Sequence, residues 1–170
     1  MSLSVPYVRR RAIASLAFAP FLFGCRVNSS KDQNSTYVKP PERILPDTAW
    51  SFKEPAAESI AVFLAALREY GRQIGVKINE DELSAKMGIP SIDIEYEYGI
   101  QLPNGSWEDK TETVRLRPSQ SLTYGELLFE IHKVAREKLH DQDHCFFEGL
   151  WLTERYNEPG IPLYEMYLGS

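Results

Sequence analysis

The densest group of residues with chemical potential lies between positions 140 and 148. It combines imidazoles with carboxylates, namely His140, Asp141, Asp143, His144 and Glu148. Such side chains suit zinc or a similar divalent ion with a bound water. Two phenylalanines at 146 and 147 indicate, however, that a strand has begun by then, and the two histidines would share a face only on a continuing helix. The sequence favours a helix end followed by a strand. A metal site at His140, Asp143, His144 and Glu148 is the alternative.

Cysteine catalysis is disfavoured by the same local geometry. Cys145 directly follows His144, but neighbouring residues on a strand point to opposite faces and cannot meet. A general base would have to be His132 or His140. The chain contains no GxSxG elbow, no HExxH motif and no phosphate-binding glycine loop. We therefore expect no catalytic residues and no cofactor, and a chain that is not an enzyme.

A third group of residues suits binding rather than catalysis. Asp93, Glu95 and Glu97 alternate with apolar residues, and Trp107 and Glu112 belong to the segment that follows. Acids on one strand face with aromatic side chains nearby suit the docking of a cationic protein. The alternative is a solvated outer face, because alternation places acids outward in any half-buried strand.

Local sequence signals predict the helices that would position these groups. Apolar residues recur at helical spacing after Pro55, which predicts a helix over 55–74. Asn79 is typical of the cap of a short second helix. Thr123 and Glu126 form a capping box, which predicts a helix from Tyr124 to Leu139. Its inner face would hold Leu127, Leu128, Ile131, Val134 and Ala135.

The alternation from Ile92 to Ile100 predicts a β-hairpin whose register can be argued. The apolar residues Val114 and Leu116 of the return strand must share a face with the isoleucines. A two-residue Asn-Gly loop would break that match, so residues 103–105 are expected to form a three-residue loop. Asp93 then lies opposite Arg115, and Gly105 takes the left-handed position of a bulge.

The last third of the chain predicts a second hairpin, from His144 to Leu152 and from Pro162 to Leu168. The element order is helix, strand, strand, helix, strand, strand. This order favours an α+β fold in which two main helices pack on one face of an antiparallel four-stranded sheet. The alternative architecture has two subdomains with one hairpin each.

The N-terminal segment predicts export and lipid attachment. Three arginines at 9–11 precede a 12-residue apolar run from Ala12 to Phe23, which is too short to cross a bilayer that needs about 20 helical residues. Leu22, Phe23, Gly24 and Cys25 resemble the bacterial lipobox. The resemblance implies that Cys25 is the lipidated mature N-terminus, and that the protein is held at the periplasmic face of a bacterial membrane. Arg26 is not the aspartate that marks inner-membrane retention, which favours the outer membrane.

These signals divide the chain into a signal peptide over 1–24, a flexible tether over 25–46 and one globular domain over 47–170. The tether is rich in Ser, Asn, Lys and Pro and has almost no apolar periodicity. Removal of residues 1–24 takes away three arginines and no acids, so the net charge falls from −5 to −8. This net negative charge disfavours a function in nucleic-acid binding, which needs a basic surface.

The C-terminal part, TYGELLFEIHKVAREKLHDQDHCFFEGL and then GIPLYEMYLGS, resembles small immunity proteins of bacterial toxin systems. The resemblance implies a single α+β domain that inhibits by binding and has no catalytic residues. We therefore expect a membrane-tethered envelope lipoprotein that binds a protein such as a cationic toxin. Two alternatives stay open, a small envelope enzyme or metal-binding protein that uses the 140–148 segment, and an assembly lipoprotein of a secretion system.

Overall fold

A computed structural model of the chain describes residues 39–117, 122–155 and 157–170. The predicted signal peptide, Cys25 and most of the predicted tether lie outside these residues. The described part contains six strands and three helices in this order: β1 Arg43–Ile44, β2 Trp50–Ser51, α1 Ile60–Ile74, α2 Glu80–Ser84, β3 Ile92–Gln101, β4 Trp107–Leu116, α3 Tyr124–Leu139, β5 Phe146–Leu152 and β6 Leu163–Gly169.

The helices begin and end at local capping signals. In α3, Thr123 and Glu126 form the reciprocal capping box that the sequence predicted, and the predicted bounds of this helix are confirmed. The short helix α2 has Asn79 as its N-cap, also as predicted. The predicted start of α1 at Pro55 is wrong. The helix begins at Ile60 because the side chain of Ser59 accepts a hydrogen bond from the Val62 N–H and caps it there.

The sheet is mixed, with the strand order β1-β5-β6-β3-β4, and β2 also pairs with β5. The prediction of a four-stranded antiparallel sheet is therefore wrong in two respects. Strands β3 and β6 are parallel, because β6 rather than β5 occupies the place beside β3. Strands β1 and β2 have only two residues each, too few to show an alternating pattern, and β1 lies in the segment predicted to be tether.

The predicted register of the first hairpin is confirmed. Asp93 lies opposite Arg115, and Ile94 lies opposite Val114. The Leu102 N–H donates to the Ser106 carbonyl at 2.8 Å, which closes a three-residue loop. Gly105 in this loop has a φ of 84°, a left-handed conformation that glycine adopts without steric cost.

The second hairpin, β5 and β6, is antiparallel as predicted, but its register shifts between Phe147 and Gly149. Gly149 has a φ of 122°, and a Cβ at this position would lie 2.7 Å from the Trp151 ring. Glycine is therefore required here for both its backbone conformation and its missing side chain. This bulge decides which residues of β5 point away from the helices.

The hydrophobic core lies between the helices and one face of the sheet. It contains Phe63 of α1, Leu128 and Ile131 of α3, and Ile94 and Tyr96 of β3. In α3 the predicted inner face is correct except for Val134, which is 39% exposed, and His132 is fully buried instead. All these core contacts use one side of the sheet, so the other side is left to surface chemistry.

Candidate functional site

The candidate site is the side of the sheet that faces away from the helices, which we term the outer face. Pairing places Asp93, Glu95 and Glu97 on this face, opposite Arg115, Thr113 and Thr111 respectively. Strand β6 continues the face with Leu163 and Glu165, which lie beside Asp93 and Glu95. The outer face thus gathers three of the four predicted acids, although each has a different environment.

Asp93 is buried on the outer face, with only 1% of its surface exposed. Arg115 donates two hydrogen bonds to its carboxylate, from Nε at 2.6 Å and from Nη2 at 2.8 Å, and Asn157 donates a third at 3.4 Å. The Arg115 hydrogen bonds lower the pKa of Asp93, while burial opposes the shift. Arg115 also binds Glu158. Asp93 therefore holds the 153–162 loop onto the sheet and does not face a partner.

A wide, shallow basin adjoins this ion-pair cluster. It has a volume of about 700 Å³ and is lined by Asp93, Thr113, Arg115, Arg117 and Asn157. Two arginines and an aspartate line it, and the adjacent Glu158 forms ion pairs with both arginines. Because positive and negative side chains are balanced, the basin has no net preference for an anion or a cation.

The remaining residues of the predicted docking group do not form one acidic stripe. Glu95 is bound by Arg155 at 2.5 Å, and its side chain is 15% exposed. Glu97 is exposed and forms no salt bridge within the described part of the chain. Glu112 lies on the helix-facing side, where its carboxylate is 3.8 Å from the Lys138 ammonium of α3. Trp107, at the hairpin end of β4, is 66% exposed.

An aromatic pair on β5 and β6 was missed by sequence reasoning. The Trp151 and Tyr167 rings lie 4.1 Å apart between centroids, and Tyr167 is 45% exposed. The Arg43 guanidinium lies 5.4 Å from the Trp151 ring centroid. Glu165, which is exposed, pairs with Trp151. The alternation of Leu163, Glu165 and Tyr167 was a usable signal, but the bulge at Gly149 hid the register of their β5 partners.

The alternative metal ligands lie between the end of α3 and strand β5. His140 ends α3, and its Nδ1 lies 3.1 Å from both the Arg136 and the Glu137 carbonyl oxygens. Its Nε2 lies 3.0 Å from the Asp141 carboxylate. The other three candidates, Asp143, His144 and Glu148, are exposed. Among the residues that the structure describes, no three His, Cys, Asp or Glu side chains are arranged to hold a metal ion.

The two other reactive side chains, Cys145 and His132, are fully buried. Trp50 donates its indole N–H to Nδ1 of His132 at 2.9 Å, so the neutral ring carries its proton on Nε2. Nε2 has no partner with good hydrogen-bond geometry in the described chain. Burial lowers the pKa of His132 from 6.5 to about 4, with the Pro55 carbonyl partly opposing the shift. His132 is thus a core residue that stays neutral at physiological pH.

No protein-family model, curated protein or solved structure matches this chain. Within the described ranges, no helix combines the length and apolar composition needed to cross a membrane.

Proposed function

We propose that this chain is a membrane-tethered envelope lipoprotein whose domain acts by binding another protein on its outer face. The specific form we propose is immunity, in which the domain neutralises a toxin by occupying its surface. Cys25 would carry the lipid, and the protein would lie on the periplasmic side of the outer membrane. The N-terminal sequence pattern and the resemblance of the C-terminal part to immunity proteins support this assignment.

The observation that carries the binding proposal is the aromatic pair on β5 and β6, in which Tyr167 is 45% exposed and Trp151 is half-buried. The Trp151 and Tyr167 rings are tilted at 41° to each other with 4.1 Å between centroids, and the Arg43 guanidinium lies over the Trp151 ring. Tryptophan, tyrosine and arginine are the residues most enriched at interface hot spots. A sheet face is a rigid support, so such anchors lose little conformational entropy on binding. This part of the outer face therefore supplies the apolar anchor of the interface.

The charge around the aromatic pair supports a cationic partner. Glu97 and Glu165 are exposed and form no salt bridge within the described ranges, whereas Asp93 and Glu95 are each bound by an arginine. Exposed acids at the rim of an interface accelerate association with a basic protein and set its orientation. Inhibition by occlusion needs no catalytic group in the domain.

Affinity capture tests the proposal. The full chain would be purified with its bound proteins from the membranes of its native cell, and the bound proteins identified by mass spectrometry. A toxin supports immunity, and recovery of secretion-machine components would instead favour an assembly role. Failure to recover any stoichiometric protein from these membranes would contradict the binding proposal.

Two variants then locate the interface on the recovered partner. Tyr167→Ala removes an exposed anchor and should weaken binding by about tenfold or more, the usual effect of a hot-spot residue. Val62→Ala is the matched control, because Val62 is 53% exposed but lies on α1. Equal loss of affinity in both variants, or no loss in either, would place the interface elsewhere.

The lipid anchor is tested separately by the mass of the mature N-terminus. The expected mass corresponds to cleavage before Cys25 with acyl chains attached, and Cys25→Ser should release the protein from the membrane fraction. An unprocessed N-terminus would contradict the anchor while leaving the binding result intact.

A further inference from the structure

Three stretches of strand in this sheet lack a full-length neighbour on one side, and within the described chain only one of them is left without hydrogen-bond partners for its backbone. The outer edge of β5 is covered by β1 and β2. Strand β3 loses its β6 partner after Glu95, and there Gln142 accepts from the Gly99 N–H at 2.8 Å and donates to the Gly99 carbonyl at 3.2 Å. Strand β4, with 10 residues, forms the remaining edge. An edge strand presents a row of unpaired N–H and C=O groups, which is a template for pairing with a further strand.

The register shows which backbone groups of β4 face outward. The Leu102 N–H donates to Ser106 across the hairpin, so every second pair from there is hydrogen-bonded between β3 and β4. The residues between those pairs point their N–H and C=O groups to the open edge. They are Trp107, Asp109, Thr111, Thr113 and Arg115. No partner for these backbone groups lies in the described part of the chain.

We propose that the open edge of β4 pairs with β4 of a second copy of this chain, antiparallel, about a two-fold axis at Thr111. In this register Lys110 of one copy lies opposite Glu112 of the other, and the symmetry repeats the pair. Trp107 lies opposite Arg115 of the second copy. Each outward N–H and C=O from Trp107 to Arg115 then meets a partner, as a closed isologous interface requires.

Charge distinguishes this register from its neighbours. A two-fold axis at Lys110 would place two Lys110 side chains opposite each other, an axis at Glu112 would pair two Glu112 side chains, and an axis at Asp109 would pair two aspartates. Like charges directly opposite destabilise an antiparallel pair, and opposite charges stabilise it. An axis at Thr113 avoids these clashes and places Asp109 opposite Arg117, but it leaves two charged side chains opposite apolar ones, Lys110 opposite Leu116 and Glu112 opposite Val114. The Thr111 register has one such pair, Glu108 opposite Val114, and gains the Lys110–Glu112 pair.

Lys110 and Glu112 each form an ion pair within the single chain, and both pairs can break to form new ones across the two-fold axis. Lys110 contacts Glu108 at 2.5 Å, and its side chain is 41% exposed. Glu112 lies 3.8 Å from Lys138, and its side chain is 36% exposed. Exposed pairs of this kind contribute little to stability, so exchange for a partner across the two-fold axis costs little.

Cysteine cross-linking of the full chain tests the register. The test uses a Cys25→Ser background, in which the remaining native cysteine, Cys145, is fully buried and cannot form a cross-link between chains. In this background Thr111→Cys should form a disulfide dimer under mild oxidation. The Cα atoms of a directly opposite, hydrogen-bonded pair lie about 5.5 Å apart, which is within the range that a disulfide spans. Asp109→Cys and Thr113→Cys should stay monomeric on a non-reducing gel, because those residues lie opposite each other rather than opposite themselves. Cross-linking through 109 or 113, or at no position, overturns the proposal.

A charge swap tests the energetics in solution. Lys110→Glu should weaken dimerisation measured by analytical ultracentrifugation by about tenfold, because it replaces two attractive contacts by two repulsive ones. The double variant Lys110→Glu with Glu112→Lys should restore dimerisation to within about threefold of the original. A dimerisation constant that is the same in the original chain and in both variants overturns the proposal. A chain that stays monomeric at all concentrations overturns it as well. Recovery in the double variant excludes misfolding as the cause.

Discussion

Acidification should destabilise this domain through one buried histidine. His132 is fully buried, and its pKa in the folded chain is about 4 against 6.5 in the unfolded chain. As the pH falls, the unfolded chain therefore takes up this proton first. The stability that the neutral ring contributes is complete above pH 6.5 and is lost as the pH falls toward 4. A shift of this size corresponds to about 3 kcal/mol, a large share of the roughly 5–15 kcal/mol that a domain possesses.

The main physical reason is burial, which removes water from the charged form of the ring and lowers its pKa. Protonation would also create two donors that face each other. Trp50 donates its indole N–H to Nδ1 of His132 at 2.9 Å, and a proton on Nδ1 would break that bond inside the core. The Phe52 ring stacks on His132 with 5.8 Å between centroids, so water cannot solvate the charge. The imidazolium is thus both desolvated and deprived of its hydrogen bond.

Urea unfolding between about pH 7.5 and about pH 4.5 measures this effect. The wild type is compared with His132→Gln, which keeps an acceptor for Trp50 but cannot become charged. His144→Gln is the matched control, because His144 is exposed. We expect the wild type and His144→Gln to lose about 2–3 kcal/mol more than His132→Gln across this range, most of the full effect of the shift. Parallel pH profiles in all three proteins would refute a neutral, buried His132.

Three further predictions concern stability. Arg115→Ala should destabilise the domain above pH 3.8, the ordinary pKa of an aspartate, because it leaves the buried Asp93 carboxylate without its cation, and the loss should shrink at lower pH as Asp93 is protonated. Thr123→Ala removes the N-cap of α3 and should cost about 1 kcal/mol by chemical denaturation. Gly149→Ala should cost well over 1 kcal/mol, since its Cβ would collide with a tryptophan ring 2.7 Å away. Gly105→Ala, with nothing within 4 Å, should cost only about 1 kcal/mol; equal losses at the two glycines would contradict the steric argument.

The features that could be predicted from the sequence depend on neighbours along the chain. The capping box of Thr123 and Glu126 determined the bounds of α3, because the two side chains satisfy backbone groups within one turn. The register of β3 and β4 followed from matching apolar positions across a short loop that ends in Gly105. In both cases a single local arrangement satisfies the pattern.

The features that could not be predicted depend on contacts between distant segments. Nothing in the alternation of β6 indicates that it lies beside β3 rather than at the edge, because both arrangements bury the same residues. Asp93 looked like a surface acid, and its burial requires Arg115 and the loop at Asn157, 64 residues away. The sequence offers His132 only as a possible general base. Its position four residues after Leu128 nevertheless places it on the buried side of α3.

The two proposed contacts use different parts of the same sheet. The aromatic pair lies on β5 and β6, whereas the proposed self-pairing edge is β4, and β3 lies between β6 and β4. At about 4.8 Å between neighbouring strands, β5 and β4 are separated by roughly 15 Å. A dimer formed through β4 would therefore extend the sheet and leave both aromatic pairs exposed. It follows that Tyr167→Ala should leave the Thr111→Cys cross-link intact, while Lys110→Glu should leave the affinity of each protomer for its protein partner unchanged.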